Sequence, residues 1–211
     1  MLQGRFFALA QVVVFGSTAA AGTPLISEVF YDAPGSDSGN VFVELYAAPG
    51  TSLAGLALEA VNGDNGEVHA QAELSGIVGS SGFFVVADVG SDGSTEIAGA
   101  DLSIEFDPQN GPDSVRLVDA TRVLDAVGFG VFAPEQFFAG EGLPAQDADG
   151  GDGLSRLFAN VDTDNNARDF AVAAPTPGFG VTAVPEPGSA LLALAGLAGL
   201  GWFRRRRAVA S

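Results

Sequence analysis

Between residues 22 and 183 the apolar positions come in short runs, each broken by Gly, Asp, Asn or Pro. No 3.6-residue period persists long enough to build a helix, so the pattern is that of β-strands. It predicts strands at 25–31, 41–46, 56–61, 68–74, 83–87, 102–106, 114–119, 123–129 and 154–158. In the second of these, Val41, Val43 and Leu45 alternate with Phe42, Glu44 and Tyr46, giving one aliphatic face and one mixed face. Turn signals separate the runs: Pro34-Gly35-Ser36-Asp37, Asn62-Gly63-Asp64-Asn65-Gly66, Asp92-Gly93 and Asn110-Gly111-Pro112. Many short strands at this spacing argue for an all-β antiparallel sandwich or barrel. The tracts 133–153 and 160–166 read as loops, and no internal repeat is visible.

The ends follow a different pattern. Residues 1–21 hold one charge, Arg5, then the apolar stretch Phe6-Phe7-Ala8-Leu9-Ala10 and Val12-Val13-Val14-Phe15, then Ala19-Ala20-Ala21. That is the layout of a secretory signal peptide ending near Ala21; the alternative is a buried N-terminal element. At the other end Val184-Pro185-Glu186-Pro187 precedes an apolar stretch from Gly188 to Phe203, closed by Arg204-Arg205-Arg206-Arg207. Those 16 apolar residues fall just short of the ~20 that span a bilayer comfortably. Trp202 suits the interface, and the four arginines would stay cytoplasmic, leaving the rest of the chain outside.

This C-terminal order resembles a PEP-CTERM sorting signal across 184–211. The resemblance implies a Gram-negative bacterium with an exopolysaccharide system. It also implies a membrane protease, exosortase, that recognises the Pro-Glu-Pro region and releases or re-anchors the protein. The alternative is a plain C-terminal anchor, which gives the same topology without needing Pro185-Glu186-Pro187. The expected organisation is a signal peptide at 1–21, a β domain at 22–181 and a sorting segment at 182–211, with one transmembrane helix through 188–203.

Charge narrows the partners. The chain has 9 Arg, no Lys, 26 acidic residues, one His and no Cys. Residues 22–183 carry four Arg against 25 acids, a net charge of −21. Such a surface repels nucleic acid and other polyanions and attracts divalent cations. The absence of Cys removes disulfides, thiolate metal sites and a Cys nucleophile. No Gly-rich loop carries the Lys of a phosphate cradle, and there is no N-x-[ST] acceptor.

The ordered strand motifs resemble a lamin-tail domain, an immunoglobulin-like β-sandwich. They are Leu25-Ile26-Ser27-Glu28-Val29 with Tyr31; Phe42-Val43-Glu44-Leu45-Tyr46; Phe83-Phe84-Val85-Val86-Ala87; and Asp113-Ser114-Val115-Arg116-Leu117 with Val123-Leu124-Asp125-Ala126-Val127-Gly128-Phe129. The last is Gly153-Leu154-Ser155-Arg156 with Asp162-Thr163-Asp164-Asn165-Asn166 and Thr176-Pro177-Gly178. The chain departs from the family at Ala47, where Asn is usual, and at Leu56, where Trp is frequent.

Three groups are chemical candidates. Asp147, Asp149 and Asp152 alternate with Gly in a loop that resembles the start of a calcium loop, and Asp162 and Asp164 are possible further ligands. The position of an EF-hand's closing Glu is taken by Phe158, and the alternative is a solvated acidic loop. Glu28 and Glu44 lie inside apolar strands. They could form a glycosidase-type pair, or be structural groups paired with Arg116 or Arg156. His69 is the one side chain that could serve as base in a Ser-His-Asp triad, and it is expected on an exposed hairpin. Phe129, Phe132, Phe137 and Phe138 are expected to cluster over one end of the sandwich or to form a carbohydrate platform.

The expected function is therefore that of a non-catalytic, exported surface or matrix protein, first tethered in the inner membrane and then displayed outside. Its partners would be an exosortase, the membrane and matrix polysaccharide, and its one candidate cofactor is calcium. The alternatives are a calcium-dependent adhesion or polysaccharide-binding module and, further off, a polysaccharide hydrolase using Glu28 and Glu44.

Overall fold

The computed structural model describes residues 22–183. The expected signal peptide, the motif Val184-Pro185-Glu186-Pro187, the apolar stretch expected to span the membrane and the arginine cluster lie outside the described residues. No helix among the described residues is long and apolar enough to cross a membrane.

The chain order is β1 (Leu25–Phe30), β2 (Phe42–Tyr46), β3 (Leu56–Asn62), β4 (Val68–Glu73), β5 (Phe83–Ala87), β6 (Leu102–Ser103), β7 (Asp113–Asp119), β8 (Val123–Phe129), β9 (Gly153–Arg156), α1 (Asn166–Asp169) and β10 (Phe170–Ala173). Six strands form one sheet in the order β10-β9-β1-β2-β5-β6; four form the other in the order β4-β3-β7-β8. Ile26, Val29, Val43, Leu45, Phe84 and Val86 from the first sheet meet Leu58, Ala60, Val115, Leu117 and Val127 from the second in one buried core. These are the inward positions of period-2 strands, which is why the aliphatic alternation read from 41–46 marks the core side.

Two strands depart from the sequence reading. β6 is two residues long rather than five, and it pairs parallel to β5 in an otherwise antiparallel fold. The side chain of Asp88 draws the chain out of the sheet there, its Oδ1 accepting the Phe106 N–H at 2.8 Å. The second departure is β10, which the sequence reading left unassigned; it pairs with β9 from Phe170↔Arg156 to Ala173↔Gly153. The outer side of the six-stranded sheet is covered. Phe30, Val41, Phe42, Val85 and Ala87 are buried there under Ile97 and Ala100. Beside them Glu28 and Glu44 are almost completely buried, at 1% exposure each.

The β1–β2 register shifts between Ile26 and Glu28, adding one residue to β1. Ile26 and Val29 thus both face the core, while Ser27 and Glu28 lie with Glu44 on the outer side.

Candidate functional site

Glu28 and Glu44 are cross-strand partners in β1 and β2. Two unpaired carboxylates under a cover would be costly, so their oxygens must find donors. Apart from Ser27 of β1, the donors come from the segment after β10, residues 174–183, which crosses the outer face as a strap. Thr176 N–H donates to Glu28 Oε1 at 2.9 Å and its hydroxyl to Oε2 at 3.2 Å. Gly178 N–H donates to Glu44 Oε2 and Ser27 Oγ to Oε1, both at 2.6 Å.

The strap turns sharply to reach them. Phe179 N–H donates to Thr176 O at 3.0 Å, closing a turn with Pro177 and Gly178 in its centre. Gly178 has φ +83°, a conformation that Gly adopts without strain and that is the mark of a type II turn. Its N–H is left free to point at Glu44. Beneath the strap is a cavity of about 220 Å³ lined by both glutamates, Ser27, Ser155, Thr176 and Phe179 among others. Burial pushes the Glu44 carboxyl up to about 7, with the Glu28 charge adding to the effect. Burial raises Glu28 as well, against the hydrogen bonds from Thr176.

Neither arginine named in the sequence reading pairs with these glutamates. Arg116 pairs with Glu59 across β7 and β3. Arg156 is turned inward: its Nη2 meets Asp125 Oδ1 and Oδ2 at 3.0 and 2.8 Å, and its Nη1 reaches Asp169 at 3.3 Å and Asp162 at 3.4 Å. Its Nε donates to Ile26 O at 2.8 Å, and the guanidinium lies over the Phe170 ring, 4.6 Å from the centroid. Position parity explains the difference. Leu154 and Arg156 share the core side of β9, as Ile26 does in β1, whereas Glu28 and Glu44 are on the other side.

Among the described residues, no three of the five candidate calcium ligands, Asp147, Asp149, Asp152, Asp162 and Asp164, converge within 4.8 Å. Asp147 Oδ1 accepts the Tyr31 hydroxyl at 2.7 Å, and that hydroxyl accepts the Ala148 N–H at 2.7 Å. Asp162 belongs to the Arg156 network, and its Oδ1 also accepts the Asp164 N–H at 3.0 Å. Among the described residues, the acidic groups that do converge are Asp125, Glu141 and Asp162, with ligand atoms within 4.8 Å of one another. Arg156 already supplies a positive charge to two of these three. Glu141 has its carboxyl pushed up to about 8, by burial first and then by Asp125 and Asp162.

His69 sits on β4 with Nε2 3.5 Å from Asp113 Oδ2, while Asp113 Oδ1 accepts the Gly63 N–H at 2.8 Å. Of the phenylalanines, Phe132 and Phe138 pack edge to face at 5.2 Å, whereas Phe129 stacks on Tyr31 at 4.2 Å in the core.

The strap was the element that sequence reasoning missed. Its signal was Thr-Pro-Gly, a turn triplet lying shortly after an unassigned apolar run. It leads directly into Val184-Pro185-Glu186-Pro187. Residues 183–207 match the PEP-CTERM protein-sorting motif. No curated protein and no solved structure matches the chain. A motif of this kind implies sorting by an exosortase-type membrane enzyme, with export, membrane-associated sorting and then the cell surface.

Proposed function

We propose that the protein is a non-catalytic surface or matrix component whose β-sandwich is an interaction module, delivered outside by a signal peptide and sorted through its C-terminal segment. The observation that carries this reading is the sorting motif at 183–207, attached to a domain of two packed β-sheets. The ordered motifs on β1, β2, β5, β7, β8 and β9, together with the Thr-Pro-Gly turn, favour a lamin-tail-like, immunoglobulin-like sandwich. The site geometry supports the absence of catalysis. The two buried glutamates accept hydrogen bonds from the protein's own strap, which occupies the oxygens that acid/base work would need. Matrix polysaccharide is the proposed partner, reached by uncharged or cation-bridged contacts because the domain carries −21.

The test is fractionation of cells with and without their exosortase gene, probed for this chain. The reading requires a surface or released form in the first and retention in the inner membrane in the second. Equal distributions in both would reject sorting. Turnover of an exopolysaccharide by the purified chain, lost in Glu44→Gln, would reject the non-catalytic assignment.

A further inference from the structure

The strap runs into the sorting motif without a spacer. Asn160 grips Ala183 on both sides: its Nδ2 donates to the Ala183 carbonyl at 2.9 Å, and the Ala183 N–H donates to its Oδ1 at 2.7 Å. Two residues earlier, Val181 O accepts the Ala159 N–H at 2.7 Å. Val184-Pro185-Glu186-Pro187 then follows immediately, and Gly188 opens the apolar stretch. The four intervening residues span at most about 14 Å when fully extended. An enzyme working at the membrane on Pro185-Glu186-Pro187 would have a folded sandwich held against it. If the whole strap from Ala174 lifts, 14 residues become available, with a reach of about 50 Å.

The strap is built to lift. Phe179 and Val181 stay 68% and 55% exposed, so its grip rests on hydrogen bonds rather than on apolar burial. The Asn160–Ala183 pair lies at the surface, where water competes for both bonds.

We propose that residues 174–183 form a releasable tether that must lift from the sandwich before the sorting motif is processed, with Asn160, Glu28 and Glu44 as positioning residues that set how readily it lifts. This rests on the exosortase reading of the C-terminal segment.

A lock tests it, and the cysteine-free chain makes the lock clean. A Cβ at Gly180 would lie 3.7 Å from the Cβ of Ala159, close to the ~3.8 Å typical of a disulfide. The edge of the Phe83 ring, 2.8 Å from that Cβ, must swing aside. The full chain carrying Ala159→Cys and Gly180→Cys is expressed in cells that contain an exosortase. The oxidised chain is expected to persist as precursor, while either single variant is processed normally. Reduction in isolated membranes restores processing, which separates a lock from a misfolded chain. Asn160→Ala is expected to be processed roughly tenfold faster, since two hydrogen bonds are lost. Processing of the locked chain at the normal rate overturns the tether, and an unchanged rate in Asn160→Ala removes Asn160 from it. A native chain left unprocessed in the same cells overturns the sorting reading instead.

Discussion

Asp125 on β8 holds Arg156 on β9 through both carboxylate oxygens, and both side chains are fully buried. The pair bridges the two sheets. Asp125 Oδ2 also accepts the Ile26 N–H at 2.6 Å, and Arg156 donates to Ile26 O, so the start of β1 is fastened from both sides. A buried charge that loses its partner leaves the other uncompensated, at a cost of about 3–5 kcal/mol. Arg156→Met, which keeps the stem and removes the charge, is therefore expected to destabilise the domain by about that amount. Urea unfolding measures it; a loss below about 1 kcal/mol would show that the network contributes little.

Glu44 gives the fold a pH dependence of definite sign. Its carboxyl is raised to about 7 in the folded state, against 4.5 as the ordinary value. Between these values the folded chain binds more protons than the unfolded one. Stability is therefore highest below about 4.5 on this group's account and declines as pH rises through 7. Glu28, raised in the same direction, adds to the decline, and Glu141, at about 8, extends it upward. Thermal midpoints at pH 5.5 and 8 are expected to differ in favour of pH 5.5. Glu44→Gln should narrow the gap, its amide oxygen accepting from Gly178 and its NH2 turning to Ser27. An unchanged gap would remove Glu44 as a source.

Tyr31 ties the long loop before β9 to the core. Its ring stacks on Phe129 and its hydroxyl bridges Asp147 and Ala148. Tyr31→Phe leaves the buried Ala148 N–H without its acceptor, at a cost of about 1–3 kcal/mol. Hydrogen exchange at Ala148 should speed up well beyond exchange in β3 and β7, because the loss is local. Uniform acceleration would mean that the loop and the sheets open together.

Calcium has a clear test. Asp147 is engaged by Tyr31, and Arg156 lies against Asp125 and Asp162 in the acidic group that does converge. Millimolar calcium is therefore expected to leave the thermal midpoint unchanged relative to chelator. A ligand at 100 times its dissociation constant would add about 2.7 kcal/mol, which is several degrees in a domain of this size. Such a rise would show that the domain binds calcium.

Most strands were legible because each face obeys a two-residue alternation and Gly, Asn and Asp mark the turns. β3, β5 and β8 fall within one residue of their expected bounds. What escaped depended on distant chain. The partners of Arg156 lie 31 and 13 residues away in sequence at Asp125 and Asp169, and the facing of Glu28 was set by a bulge at Ser27. β10 escaped because Phe-Ala-Val-Ala is too short to stand out without its neighbour β9. The donors to the two glutamates escaped most completely, since Thr176 lies 148 residues from Glu28.

Intact mass of the chain recovered from the cell surface tests the central claim most directly. The account predicts a species that begins near Gly22, retains the strap and lacks Arg204-Arg205-Arg206-Arg207. A surface species still carrying the arginine cluster would contradict it.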